Sequence, residues 1–202
     1  MARLTGAEIL LATGNAGKRE EFAALLAPFG CMARSLADFD LPEPEETESS
    51  FAGNARLKAM AGALASGLPT LADDSGLVVD ALAGGPGIYT ADWAETTNGR
   101  DFFLAMHKTW CYSLSVGAGS SPDAAFICTL VLAWPSGATE LYEGRLQGHL
   151  TWPARGTSGH GYDPIFQPLG HTVTLGEMAA AEKNQISHRA EAVRKLIRGC
   201  FT

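Results

Sequence analysis

The chain has 202 residues, 46% of them apolar, and a formal net charge of -7. Such a length supports one domain with a substantial core, or two lobes sharing one sheet, and the apolar content excludes global disorder. The acidic balance argues against a general nucleic-acid binder, yet leaves room for one small anionic ligand held by a local cluster of Lys and Arg.

Glu8 to Ala12 reads as a short buried strand running into the loop Thr13-Gly14-Asn15-Ala16-Gly17-Lys18. A helix is expected from about Lys18 to Ala27, with Phe22, Leu25, Leu26 and Phe29 on one face and Pro28 and Gly30 marking its end. Strand, glycine-containing loop and helix together aim backbone N–H groups and a positive helix end at an anion. The spacing is not that of a Walker A loop, because Gly14 lies three residues before Gly17-Lys18 and Arg19 replaces Ser or Thr. A phosphate loop of another kind and a plain helix-capping loop both fit the segment.

Cys31 to Leu36 is expected as a second strand, and Asp38 to Glu48 as an acidic, proline-containing loop. Most of its carboxylates are expected on a solvated flank, although one or two have the chemistry to bind a divalent ion together with Asp74. An Ala-rich helix follows from about Ser50 to Ser66, with Leu57, Met60, Ala61 and Leu64 as its apolar stripe and Gly67 as its stop. Asn54 and Lys58 are four residues apart and share one face, open either to solvent or to a site.

In Leu71–Leu82 two adjacent carboxylates, Asp73 and Asp74, interrupt an apolar strand and are followed by Ser75-Gly76. Two ionised groups at the end of a buried strand repel each other and lose hydration, unless a cation or partner offsets the cost. Successive strand residues point to opposite faces, so one of the two is expected to reach any given site. An ordinary turn is equally compatible with this stretch alone.

Gly84 to Tyr89 is a tight loop, and a helix is expected from about Arg100 to Lys108, followed by a Gly/Ser-rich connection over Tyr112 to Asp123. Two long strands joined at Pro135-Ser136-Gly137 read as a β-hairpin. Ala154 to Pro164 is a second Gly-rich loop. In the last helix Ser187 is the expected N-cap, and Lys183, His188 and Arg189 form a basic group near its start, which is either an anion site or a chance cluster. Repeated β-α units followed by a meander give an α/β fold with a mixed sheet.

Cys31, Cys111, Cys128 and Cys200 show no metal-ligand spacing and read as free thiols of a reducing cytoplasm. No signal-peptide pattern or membrane-spanning run is present, so a cytoplasmic protein is expected.

Acidic groups for a metal, basic groups at two helix starts and a Gly-rich loop with aromatics suit a nucleoside triphosphate. Four blocks in order, Leu11–Phe22, Leu71–Tyr89, Gly159–Pro168 and Glu182–Val193, resemble those of the inosine triphosphate pyrophosphatases, with Glu45–Ala59 as a weaker fifth. The resemblance spans nearly the whole chain. It implies a single nucleoside triphosphate pyrophosphatase domain over residues 1–202, an elongated central mixed sheet with helices on both sides, and two lobes with a cleft between them. It implies a homodimer and Mg2+-dependent cleavage of ITP, dITP and XTP to monophosphate and pyrophosphate.

Carried over by position, Thr13, Gly14, Asn15, Ala16, Gly17 and Lys18 resemble the triphosphate cradle. Asp74 resembles the water-activating acid that also touches metal; Glu46, with Glu45 as its neighbour, resembles a second metal carboxylate, and Lys58 a phosphate-facing lysine. Ser75 and His160-Gly161-Tyr162-Asp163 match substrate contacts, and Lys183, His188 and Arg189 match groups around phosphates and base. Two departures stand out. His160 occupies a position where the family commonly has a stacking Phe, and Asp92 one where relatives often carry a basic residue. A pyrophosphatase for other modified nucleotides, and a nucleotide-binding sensor without catalysis, are the alternative readings.

Overall fold

The computed structural model describes residues 4–201. Within them a six-stranded mixed sheet, flanked by helices, has the order β2-β1-β3-β6-β7-β8. β1 (Glu8–Leu11) runs parallel to both β2 (Met32–Ser35) and β3 (Thr70–Val79), with Leu10 opposite Thr70 and Leu11 opposite Leu71. The hairpin expected from sequence is β6 (Asp123–Ala133) and β7 (Thr139–Leu150), and β8 (Phe166–Pro168) lies antiparallel to β7. Two-residue strands β4 (Glu95–Thr96) and β5 (Gly99–Arg100) form a separate small ribbon. β6 is buried from Ala124 to Ala133, as a nearly unbroken apolar run requires.

The described residues gather into two compact units. The first takes the chain up to Asp74, Cys128–Gly144, and the chain from Glu191 onward. Its core is built on one side from Phe22 and Leu26 of α1 (Ala16–Leu26) with Val193 and Leu196 of α5 (His188–Cys200). Each such side chain contributes roughly 1.5–3 kcal/mol on burial. On the other side α2 (Phe51–Ser66) packs Ala55, Ala59 and Ala63 with Leu10, Ala12, Ala72 and Val131.

The second unit comprises Ser75–Ile127 and Arg145–Ala190. Leu77, Val79, Phe126, Leu150, Tyr162, Ile165 and Phe166 form its core, with Ala105 and Met106 of α3 (Phe102–Ser115). A short α4 (Ala180–Ile186) precedes α5.

Four local expectations change. α1 begins at Ala16, because the Asn15 side chain accepts a hydrogen bond from the Lys18 N–H at 3.1 Å and so caps the helix two residues earlier than expected. α3 runs on to Ser115 rather than stopping at Lys108, taking in part of the expected connection; Asp101 caps its start through the Leu104 N–H. Lys183 belongs to the last turn of α4, a position the helix dipole favours for a cation, and so is not part of the α5 start.

The stripe expected on α2 is displaced: Leu57 and Met60 are half-buried, Met60 at the margin of the core, and the other two residues face outward. Leu64 is 67% exposed and Ala61 is exposed, while the buried face is Asn54, Ala55, Lys58, Ala59, Gly62 and Ala63. Small residues win this face because the helix approaches β1 and β3 closely: a Cβ on Gly62 would lie 2.7 Å from Thr70 Cγ2 and 3.1 Å from Leu10 Cδ2. No helix among the described residues is long and apolar enough to cross a membrane.

Candidate active site

The strand β3 carries both adjacent carboxylates, and its alternation sends them to different partners. Asp73 faces α1, where its Oδ2 lies 2.8 Å from Lys18 Nζ. Asp74 faces α2, where its Oδ2 accepts a hydrogen bond from Asn54 Nδ2 at 3.1 Å. Asp73, Asp74, Asn54 and Lys58 are all at most 5% exposed, so four polar side chains are packed into one apolar unit. Such burial is sustained by pairing and hydrogen bonding among them.

Because α2 turns its small face to the sheet, Asn54 and Lys58 turn inward with it, and that settles which environment their shared face meets. Lys58 pairs with Glu46, whose side chain is 41% exposed on the acidic segment, and Glu45 beside it is exposed as well. Burial, with the Glu46 carboxylate nearby, pushes the Asp74 carboxyl up from its ordinary value of 3.8 to about 6. The Asn54 hydrogen bond and the ammonium groups of Lys58 and Lys18 pull in the opposite direction, and desolvation outweighs them. Asp74 is thus poised to exchange a proton near neutrality.

The loop before α1 is built for exposure. Gly14, Asn15, Ala16 and Gly17 are exposed, while Thr13 is 5% exposed and accepts the Asn15 N–H through Oγ1 at 3.2 Å. Arg19 donates to the Thr13 and Gly14 carbonyls at 3.4 and 3.1 Å, which fixes the loop from behind. The Glu43 carboxylate lies against Gly14, on ground that a Cβ there would fill. Thr13, Gly14, Arg19 and Glu43, with Ser35, Leu36, Ala37 and Leu41, line an open cavity of about 230 Å³.

The remaining sequence candidates lie in the second unit. Asp163 is 3% exposed; its Oδ2 accepts the His160 N–H at 2.7 Å and pairs with Lys183 Nζ at 2.5 Å. Its carboxylate therefore holds the 159–163 loop in shape. Gly159, at φ +83°, is needed there because a Cβ would strike the Asp163 carboxylate. Tyr162 is 1% exposed, donates its hydroxyl to the Thr90 carbonyl at 3.2 Å and meets Phe102 edge-on, so its side chain is core and not a solvent-facing contact. His160 is exposed and Gly161 half-buried, whereas Ser75 is half-buried at the start of this unit. Ser187 caps α5 as expected, accepting the Ala190 N–H at 3.1 Å. His188, in the first turn, is 8% exposed and stacks on Phe126 at 5.0 Å between centroids, and Arg189 beside it is half-buried.

Two further buried side chains of this cluster, Asp73 and Asn54, are less sharply marked by the sequence. Asp73, the buried partner of Lys18, is left open by the sequence, which says only that one of the two adjacent carboxylates reaches a given site. For Asn54 the sequence offers the face it shares with Lys58, open either to solvent or to a site. The signal available for it was its i,i+4 spacing to that lysine.

The donor set fits a divalent cation. Asp74 and Glu46 are close enough for one to raise the other's affinity for protons, and a cation relieves that repulsion. Among the described residues no cluster of three or more His, Cys, Asp or Glu side chains is poised to hold a metal. A pair of carboxylates is the set expected of an ion that takes its other ligands from phosphate oxygens and water.

Comparison with known proteins agrees with the resemblance carried by the sequence blocks. The model of the Ham1 family matches residues 9–199. A protein of Ruegeria pomeroyi called a dITP/XTP pyrophosphatase is 57% identical over 196 residues, covering 97% of this chain and 96% of that one. Another so called, from Agrobacterium fabrum, is 49% identical over 212 residues and covers 100% and 99%. The solved structure of a HAM1 protein from Coxiella burnetii matches with a TM-score of 0.89 at 33% identity, over 96% of this chain and 98% of that one. With family model, relatives and fold in agreement along almost its full length, the chain belongs to the Ham1 family.

Proposed function

We propose that this protein hydrolyses non-standard purine nucleoside triphosphates such as dITP, ITP and XTP to the monophosphate and pyrophosphate. The observation that carries the reading is Asp74: a buried carboxylate with a proton affinity near neutrality, flanked by two lysines and a second carboxylate. The names of the relatives from Ruegeria pomeroyi and Agrobacterium fabrum support the substrate class.

In this reading the exposed backbone of Gly14 to Gly17 and the N-terminus of α1 receive the phosphate chain. Lys18 and Lys58 neutralise charge on the non-bridging oxygens and the departing pyrophosphate, each already held in place by a carboxylate partner. Asp74 takes the proton from the attacking water, in its ionised form and at a position set by Asn54. A divalent cation, which we take to be Mg2+, would be held by Asp74 and Glu46 and would supply charge neutralisation and a more acidic water.

Recognition of the base is assigned to the second unit, to His188, Arg189, Lys183 and the 159–163 loop. A donor such as Arg189 favours the carbonyl O6 of hypoxanthine or xanthine and leaves the amino group of adenine facing another donor. The same reading includes a homodimer acting in the cytoplasm.

Incubation with Mg2+ and a panel of triphosphates, followed by separation of products, tests the proposal. Monophosphate plus pyrophosphate, released fastest from dITP or XTP, is the expected result. Diphosphate plus inorganic phosphate, or tight binding without turnover, overturns it.

A further inference from the structure

Asn54 joins the acidic segment to the reactive strand through a single side chain. Its Oδ1 accepts the Glu48 N–H at 2.9 Å, and its Nδ2 donates to Asp74 Oδ2 at 3.1 Å. The two bonds together fix which end of the amide is which, since only oxygen accepts and only nitrogen donates. The side chain is 2% exposed, so water does not replace either partner. Glu48 lies two residues beyond Glu46, and the amide therefore spans from the segment bearing one carboxylate to the other carboxylate itself.

The backbone is arranged for this contact. Ser50 caps α2 by accepting the Gly53 N–H at 3.1 Å, which places Asn54 in the first turn. Residue 48 folds back over that turn so closely that a Cβ on Gly53 would lie 2.6 Å from Glu48 Cβ. Glycine at 53 thus permits the approach that brings the Glu48 N–H within reach of Asn54.

We propose that Asn54 is a positioning residue for the hydrolytic reaction, a two-ended clamp that holds the Asp74 carboxylate and ties the Glu46-bearing segment at a fixed distance from it. This rests on the function proposed above. Neither Asp nor Leu, both close in size, reproduces it. Asp has no donor and adds a third negative charge, and Leu satisfies neither end. A clamp acts on the reacting geometry and not on substrate capture. Its loss is therefore expected in kcat, where a displacement of about 1 Å is enough to cost on the order of 100-fold.

The test compares wild type with Asn54→Asp, Asn54→Leu and Gly53→Ala in steady-state hydrolysis of dITP with Mg2+, alongside thermal melting and amide hydrogen exchange at Glu48. Expected are a fall in kcat on the order of 100-fold for both Asn54 variants with KM within about threefold of wild type. Loss of Glu48 amide protection is expected in Asn54→Leu and Gly53→Ala, and Gly53→Ala, with its side chain at 54 untouched, should share the kcat defect. If an Asn54 variant fails to fold, Gly53→Ala and the Glu48 exchange rate in wild type still decide. A kcat within threefold of wild type in any folded variant that has lost Glu48 protection overturns the clamp, as does an unprotected Glu48 amide in wild type. A wild-type protein that does not form monophosphate and pyrophosphate refutes the proposed function instead, and the two failures are told apart by that control.

Discussion

Lys18 reaches across from α1 to set its Nζ 2.8 Å from Asp73 Oδ2, and the side chain of Asp73 is fully buried while that of Lys18 is 23% exposed. The pair is lopsided: the lysine has an open side from which to meet a ligand, and the aspartate has none. Removing the lysine removes the ammonium that neutralises a buried charge, the costly way to break such a pair. Lys18→Met is expected to lower stability by about 3 kcal/mol, measured by urea unfolding. Asp73→Asn combined with Lys18→Met should recover most of that loss and none of the activity. Stability that stays low in the double variant would show that the lysine supports the fold by some other contact.

Asp74→Asn is nearly isosteric and should lower kcat by several orders of magnitude while the fold survives. The stability effect has a definite sign. Asp74 binds its proton more tightly folded, near 6, than unfolded, near 3.8, so its contribution is full below 3.8 and is lost as pH rises towards and through 6. Above that range the ionised group opposes folding by on the order of 2–3 kcal/mol. In the metal-free protein at pH 8, Asp74→Asn should therefore melt several degrees higher than wild type. Mg2+ should raise the melting temperature of wild type more than that of the variant.

The same shift governs the acid side of the rate profile. The base acts when ionised, so kcat/KM measured at limiting Mg2+ should fall as pH drops through about 6. Saturating Mg2+ should move that limb to lower pH, because a cation favours the carboxylate.

Arg189→Ala should reduce the preference for dITP over dATP by about tenfold or more, the scale of one lost donor, with a smaller change in stability. Competition assays with both nucleotides check this. Equal losses on the two substrates would remove Arg189 from base recognition.

Gly62→Val places new atoms against Thr70 and Leu10, at a contact already as close as backbone and side chain allow. Overpacking of this kind costs about 1–3 kcal/mol. Since α2 must shift outward to relieve it, Asn54 and Lys58 shift with the helix, and kcat should fall together with the melting temperature.

The strand–loop–helix at the start of the chain, the stops at Gly30 and Gly67 and the hairpin around Pro135-Ser136-Gly137 were legible because each has its own local chemistry. The orientation of α2 was not. Leu57, Met60, Ala61 and Leu64 recur at helical spacing and so do Ala55, Ala59, Gly62 and Ala63; periodicity does not say which stripe is inside when the neighbouring sheet demands a close approach. With the stripe misplaced, nothing local decides whether the face shared by Asn54 and Lys58 meets solvent or a site, and the bond from Asn54 to Asp74 depends on that choice. Motif position groups Tyr162 with substrate contacts, yet a large aromatic beside glycines is equally suited to plug a core, which is where its side chain lies. The Asp163–Lys183 pair, twenty residues apart, depends on a fold-back that no local pattern records.

The alanines and glycine along the inner side of α2 have a bearing on how this protein tolerates change. None of them can touch a nucleotide, yet any one of them enlarged would lever the first turn of the helix out of register with the strand beside it. A scan of every possible substitution should accordingly find two bands of intolerance. One would follow the reactive groups, and the other a row of the smallest residues in the helix, silent in chemistry and decisive for where chemistry is done.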